Sequence, residues 1–150
     1  LIQYLNEQLG NDRVRFYTGI QYRHLLIIKG GNKHIVCAPP HDHPNENWHD
    51  LLVKAEPDAP MEAGRMTAAE TAELLNKLIM KSKSILERHP YNQQKVAQGK
   101  RTANLIWPWG VTVMLLLPSV SKKNLKRAEL LTVLLKGVQR IHFPLSLTVI

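Results

Sequence analysis

The densest group of side chains that could do chemistry is His41-Asp42-His43, with His49-Asp50 close behind. Imidazole and carboxylate groups bind zinc or manganese, so residue type alone makes this run a metal candidate. It sits within Pro39 to Pro60, a stretch rich in Pro, His, Asp and Asn that reads as loop. Metal sites usually draw their ligands from rigid elements. Two other readings stay open: a polar loop whose histidines meet solvent or neighbours, or His41 and Asp42 facing a substrate. Arg23-His24 lies in a strand otherwise built for burial, where a charge needs a partner. Arg23 either turns to solvent by alternation or reaches an anion at the strand's edge.

Lys100-Arg101 follows Gly99 and precedes Asn104. A guanidinium offers a planar fork of donors for phosphate or carboxylate, and an ammonium a point charge. A glycine beside them lets backbone amides approach an anion too. The alternative is a solvated basic turn. Trp107-Pro108-Trp109-Gly110 holds two of the chain's three tryptophans, which wall a pocket or fill a core. No phosphate-binding glycine loop, dinucleotide fingerprint or nucleophile elbow occurs, and no Ser or Thr has an adjacent activating base. No catalytic residue is therefore assigned.

The elements that must position these groups are legible. Ile2, Leu5 and Leu9 at helical spacing, stopped by Gly10-Asn11, predict a short helix. Arg13 to Tyr17 and Tyr22 to Lys29 predict strands. Leu25-Leu26-Ile27-Ile28 is apolar on both faces and so central in its sheet. Gly30-Gly31-Asn32 predicts a turn, and His34 to Ala38 the next strand of a hairpin. One helical turn is expected near Trp48 to Val53. Thr67-Ala68-Ala69-Glu70 is a capping box opening a helix to Arg88. Leu74, Leu75, Leu78, Ile79, Ile85 and Leu86 form its apolar stripe, and His89-Pro90 ends it. A second helix over Tyr91 to Gln98 stops at Gly99. Extended segments follow at Asn104 to Trp109 and Val111 to Leu117, then a helix over Lys122 to Val138 and a strand over Leu145 to Ile150. The expectation is one α+β domain, a mixed or antiparallel sheet with packed helices.

Composition narrows the partners. The 150 residues carry a net charge of +8, which suits nucleic acid, an acidic membrane surface or a phosphorylated metabolite. The basic runs are Lys95 to Arg101 and Lys122 to Arg127. Aromatics are only 6% and do not interleave with them, which argues against a single-strand platform, though a basic nucleic-acid-binding module remains an alternative. Cys37 is the single cysteine, so no intrachain disulfide and no thiolate zinc site can form. No apolar run approaches the ~20 residues of a membrane span. The chain opens on Leu1 in what reads as mid-helix, as an excised fragment would.

Several segments together resemble one family. Phe16-Tyr17-Thr18-Gly19-Ile20-Gln21-Tyr22-Arg23-His24-Leu25-Leu26 is similar to its strand signature, and Pro39-Pro40-His41-Asp42 to its Pro-Pro-His-Asp turn. His89-Pro90, Asn92, Gly99-Lys100 and Ala103-Asn104-Leu105-Ile106-Trp107-Pro108-Trp109-Gly110 are similar to further blocks, in the family's order, over about residues 1–110. The family is the archaeal-type cofactor-independent phosphoglycerate mutases, relatives of alkaline phosphatase, a sub-branch of which has been proposed to be homoserine kinases. The resemblance implies that residues 1–150 are a single inserted, substrate-capping domain of a larger cytoplasmic enzyme of glycolysis and gluconeogenesis. The other domain of that parent would carry a Ser nucleophile and divalent metal ions: manganese, magnesium or zinc. This domain would grip phosphoglycerate, and alone it would be inactive. By position, Arg23, His41, Asp42, Asn92, Lys100, Arg101 and Asn104 are the substrate-side candidates, with no metal ligand among them.

There are departures. Tyr91 replaces a small apolar residue, and Lys95 stands near a usual Arg. After Gly110 the family's Gly, Pro and small residues give way to Val111-Thr112-Val113-Met114-Leu115-Leu116-Leu117. One allowed codon set for that run, read one base back, encodes Gly-Tyr-Gly-His-Ala-Pro-Ala, which is family-like. The expectation there is a local shift of reading frame.

Overall fold

The structure is a computed structural model that describes residues 1–21, 24–114, 130–134 and 148–149. Helix α1 (Ile2–Leu9) leads into strands β1 (Val14–Tyr17) and β2 (Leu25–Lys29). Strand β3 (Ile35–Val36) is followed by two single turns of 3-10 helix, Pro40–Asp42 and Trp48–Leu51, and by β4 (Lys54–Ala55). Helices α2 (Ala68–Arg88) and α3 (Pro90–Ala97) come next. Strands β5 (Ile106–Trp107), β6 (Val111–Met114), β7 (Leu130–Leu134) and β8 (Thr148–Val149) complete the described elements. The fold is α+β. The main sheet runs β1-β2-β7-β6, antiparallel throughout, with two-stranded pairs β3-β4 and β5-β8 beside it.

Helix α2 organises the core. Its buried positions are Ala68, Thr71, Ala72, Leu75, Leu78, Ile79, Ser82, Ile85 and Leu86, a three-four spacing that makes one stripe. The stripe packs with Ile2 and Leu5 of α1, Val14 and Phe16 of β1, Leu26 and Ile28 of β2, and Ile106 of β5 in a single cluster. Leu5, Leu26, Ile28, Leu75, Ile79 and Leu86 are essentially inaccessible, each burial contributing about 1.5–3 kcal/mol. Strand β2 is central, as its two apolar faces require: Ile27 is buried as well but lies outside that cluster, on the opposite face.

The two polar residues in the stripe tie other segments to the helix. Ser82 Oγ donates to the Ile79 carbonyl (2.7 Å) and accepts the Ile106 amide (2.9 Å), holding β5 to α2. Thr71 Oγ1 donates to the Thr67 carbonyl and accepts the Asn32 amide, both at 2.9 Å. Asn76, beside the stripe, reads the Val53 backbone as a strand would: its Oδ1 accepts the Val53 amide and its Nδ2 donates to the Val53 carbonyl, each at 2.9 Å. The capping box forms in full. The Glu70 amide donates to Thr67 Oγ1 (3.1 Å), and the Glu70 carboxylate accepts the Thr67 amide (2.7 Å) and hydroxyl (3.0 Å), which together hold its pKa below the ordinary carboxylate value.

Two expectations are corrected. Residues 34–38 do not form a hairpin with β2; β3 pairs instead with β4, Ile35 opposite Ala55. The turn before them is committed elsewhere. Gly30, at φ +71°, lends its carbonyl to the Met66 amide, and fully buried Asn32 anchors to Thr71, the Pro60 carbonyl and the His34 amide. The inner edge of β2 is then free for β7, with Leu26 opposite Val133. Nor does a helix run over Lys122 to Val138, since Leu130–Leu134 is a strand. A short run rich in Leu with β-branched Thr132 and Val133 suits the interior of a sheet, between β2 and β6. The strands expected at Val111 to Leu117 and Leu145 to Ile150 appear as β6 and β8, shorter, and the rest of those stretches lies outside the described residues.

Candidate functional site

Two segments that carry candidate residues meet beside α2. The Trp107 indole N–H donates to the Ala38 carbonyl at 2.8 Å, joining β5 to the start of the Pro39–Asp42 turn. Two turns of chain geometry follow from this. Pro39 and Pro40 start the turn with a fixed backbone, and the Asp42 amide closes it on the Pro39 carbonyl (3.1 Å). The His41 ring then stands edge-on to Trp109, centroids 5.1 Å apart at 70°. His41 Nε2 lies 3.3 Å from Asp42 Oδ1, and both side chains are exposed. The Trp109 indole N–H is buried and has no hydrogen-bond acceptor among the described residues. A buried donor left unpaired costs about 1–3 kcal/mol.

On the other flank of the same segment lies a cavity of about 260 Å³, walled by Trp48, Leu51, Leu105 and Trp107 and rimmed by His43, Glu46, Lys83 and Asn104. Asn104 Oδ1 accepts the Thr102 hydroxyl at 2.7 Å. His43 Nδ1 is 3.0 Å from Glu46 Oε1. Trp48 stacks on His49, centroids 3.7 Å apart. Cys37, partly buried next to the Ala38 carbonyl's residue, has its thiol pushed up to about 12 by burial. His24 is held below the ordinary histidine value, chiefly by burial, and its Nδ1 accepts the Gly19 amide at 3.2 Å.

The remaining candidates fall in different places. Asn92 is not at a surface. It is 2% exposed, and its amide donates to the Leu86 carbonyl (2.8 Å) and the Ala103 carbonyl (2.7 Å) while accepting the Ala103 amide (3.3 Å). Both donors of the side chain are used, so it has none for a phosphate; its role is to clamp the end of α2 to the segment before β5. Gly99 is also reassigned. At φ +63° it closes α3, its amide donating to Val96 and that of Lys100 to Lys95, each at 2.9 Å. Those amides cap a helix and are spent, leaving only the side chains of Lys100 and Arg101, both exposed, to meet an anion. Arg23 lies outside the described residues. The two departures at Tyr91 and Lys95 meet on α3: the Lys95 ammonium lies 5.1 Å from the Tyr91 ring centre, one helical turn away.

Sequence reasoning missed Glu46 and Lys83. Neither stands in a motif, and they share a rim only because the 43–51 loop folds over the polar edge of α2. Among the described residues, no three His, Cys, Asp or Glu side chains gather to hold a metal ion.

A family model for 2,3-bisphosphoglycerate-independent phosphoglycerate mutase matches residues 1–92. The chain belongs to that family. Among curated relatives bearing that name, the Methanosarcina mazei protein is 38% identical over 112 residues, and the Methanosarcina barkeri protein 36% over 111 residues. Each alignment covers 73% of this chain and 24% of the relative. The Methanothermobacter thermautotrophicus phosphoglycerate mutase 2 is 30% identical over 153 residues, covering 96% of this chain and 35% of its own length. That alignment carries the likeness beyond Gly110. The chain spans about a quarter to a third of the length of these mutases. No solved structure gives a significant match. No helix among the described residues is long and apolar enough to cross a membrane.

Proposed function

We propose that this phosphoglycerate mutase family chain is the inserted domain that caps the substrate while the rest of the polypeptide interconverts 3- and 2-phosphoglycerate. The supporting observation is the junction of the Pro39–Asp42 turn with the Trp107–Gly110 segment, through Trp107 to Ala38 and His41 to Trp109. It presents an exposed imidazole, 3.3 Å from the Asp42 carboxylate, at a point where Trp109 has no acceptor among the described residues. A histidine so held donates a hydrogen bond to a phosphate or carboxylate oxygen, and Arg101 and Lys100 supply the positive charge such an anion needs. Arg23 and Asn104 complete the proposed set. The +8 charge of the chain favours the approach of a strongly anionic metabolite.

In this reading the chain itself performs binding, orientation and exclusion of water. The nucleophile and the divalent metals that assist phosphoryl transfer belong to the rest of a cytoplasmic parent enzyme, so the isolated chain turns over no substrate. The test is Arg101→Ala in the full-length polypeptide. Loss of one guanidinium contact lowers kcat/KM for phosphoglycerate at least roughly tenfold, about 1.4 kcal/mol. Full activity in that variant, or mutase turnover by the isolated 150-residue chain, overturns the reading. Assaying the same parent with homoserine and a nucleoside triphosphate separates the mutase from the kinase chemistry proposed for its sub-branch.

A further inference from the structure

We propose that the cavity between the 43–51 loop and α2 binds a small apolar α-amino acid, a ligand separate from phosphoglycerate. Its volume of about 260 Å³ is just below the ~300–1,000 Å³ of ordinary small-molecule sites, which suits a single amino acid rather than a nucleotide. Trp48, Leu51, Leu105 and Trp107 make its walls apolar. Its rim carries both signs of charge, Glu46 from the loop and Lys83 from α2.

Each rim group has capacity left. Glu46 uses Oε1 toward His43 at 3.0 Å, leaving Oε2 for an ammonium. Lys83 is held at 2.6 Å by Glu87, one turn along the same helix, in a half-exposed pair of the weak, readily exchanged kind. A zwitterion with an aliphatic side chain satisfies both at once. A phosphorylated acid does not: it would bring several negative charges against Glu46, with Lys83 the one ammonium among the described lining residues. A simple carboxylate would bring Glu46 no ammonium, and a simple amine would bring Lys83 no carboxylate.

The experiment is a titration of the 150-residue chain with L-leucine, followed by tryptophan fluorescence and by calorimetry. One saturable site with Kd of about 1 mM or tighter is expected for a ligand this small. 4-Methylpentanoate lacks the ammonium and 3-methylbutylamine lacks the carboxylate; each binds at least tenfold more weakly. Glu46→Gln and Lys83→Gln, both at exposed side chains, weaken leucine binding at least tenfold with unchanged far-UV circular dichroism. Absence of saturable leucine binding, or equal binding of the two analogues, overturns the proposal. So does displacement of leucine by 3-phosphoglycerate with a gain in affinity in Glu46→Gln, which would make the cavity part of the phosphoglycerate cleft. Failure of leucine binding leaves the Arg101→Ala test of the capping role untouched.

Discussion

Replacing Asn92 separates a structural clamp from a ligand contact. In Asn92→Ala both backbone groups of Ala103 lose the side chain that pairs them, a residue only 2% exposed, and the Leu86 carbonyl keeps the His89 amide but loses its second donor. Two of the three bonds are short, at 2.8 and 2.7 Å, and the third is long at 3.3 Å. At about 1 kcal/mol net for each good bond, plus a smaller share from the third, the loss is about 2–3 kcal/mol. That is about a 30- to 150-fold fall in the folded-to-unfolded ratio, read from urea unfolding of the chain by far-UV circular dichroism. Asn92→Asp keeps the volume but removes both donors and sets carboxylate oxygens against two carbonyls. It should be worse than alanine at pH 7 and recover toward acid, where a protonated carboxyl donates again. If Asn92→Ala unfolds within about 0.5 kcal/mol of the original while the full-length variant loses phosphoglycerate affinity, the clamp is refuted and Asn92 returns to the substrate.

Three further outcomes follow from the same geometry. Ser82→Ala strands the Ile106 amide in the core and should cost about 1–3 kcal/mol in chemical denaturation, whereas Ser84→Ala, on the exposed side of α2, should cost little. Because His24 is held below its ordinary value, the unfolded chain takes up a proton first as pH falls. Stability from this residue is full above about pH 6.5 and is lost as pH drops through that value toward the folded pKa; a pH series of melting temperatures with His24→Asn should show a shallower acid slope. Cys37, with its thiol pushed up to about 12, should resist iodoacetamide at pH 8 in the folded chain and react promptly in urea; equal rates would show that burial does not control it.

What could be read in the residues divides along the range of the interactions. Helix α2 was legible end to end because its signals are local: Thr67 and Glu70 cap each other three residues apart, the stripe repeats every three to four residues, and Pro90 forbids continuation. Strand β2 was legible as central because burial on both faces leaves no polar alternation. The partner of β3 was not legible. A Gly-Gly-Asn turn after a strand is a hairpin signal, but here Asn32 spends its hydrogen bonds on Thr71, 39 residues away, and on Pro60. Leu130–Leu134 misled for a related reason: a short leucine-rich run suits either a helix or an interior strand, and only the open edge of β2 decides.

The candidate site divides in the same way, and the division says how to weigh motif residues. Residue type marked His41, Asp42, Asn92, Gly99 and Arg101 alike, since each can hydrogen-bond a polar substrate. The structure sorts them by whether their hydrogen-bonding groups are already spent. Asn92 and the Gly99 and Lys100 amides are spent on closing α2 and α3, so their place in a family block is explained by folding alone. His41 and Trp109 are different: one is exposed and 3.3 Å from the Asp42 carboxylate, and the other buries an indole donor at a cost that nothing in the described fold offsets. The hydrogen bonds among the described residues give no reason to hold that donor out of water beside an imidazole. In the capping role proposed above a bound ligand would supply the acceptor, which is why the junction of the Pro39–Asp42 turn with the Trp107–Gly110 segment carries the functional argument and the buried asparagine does not.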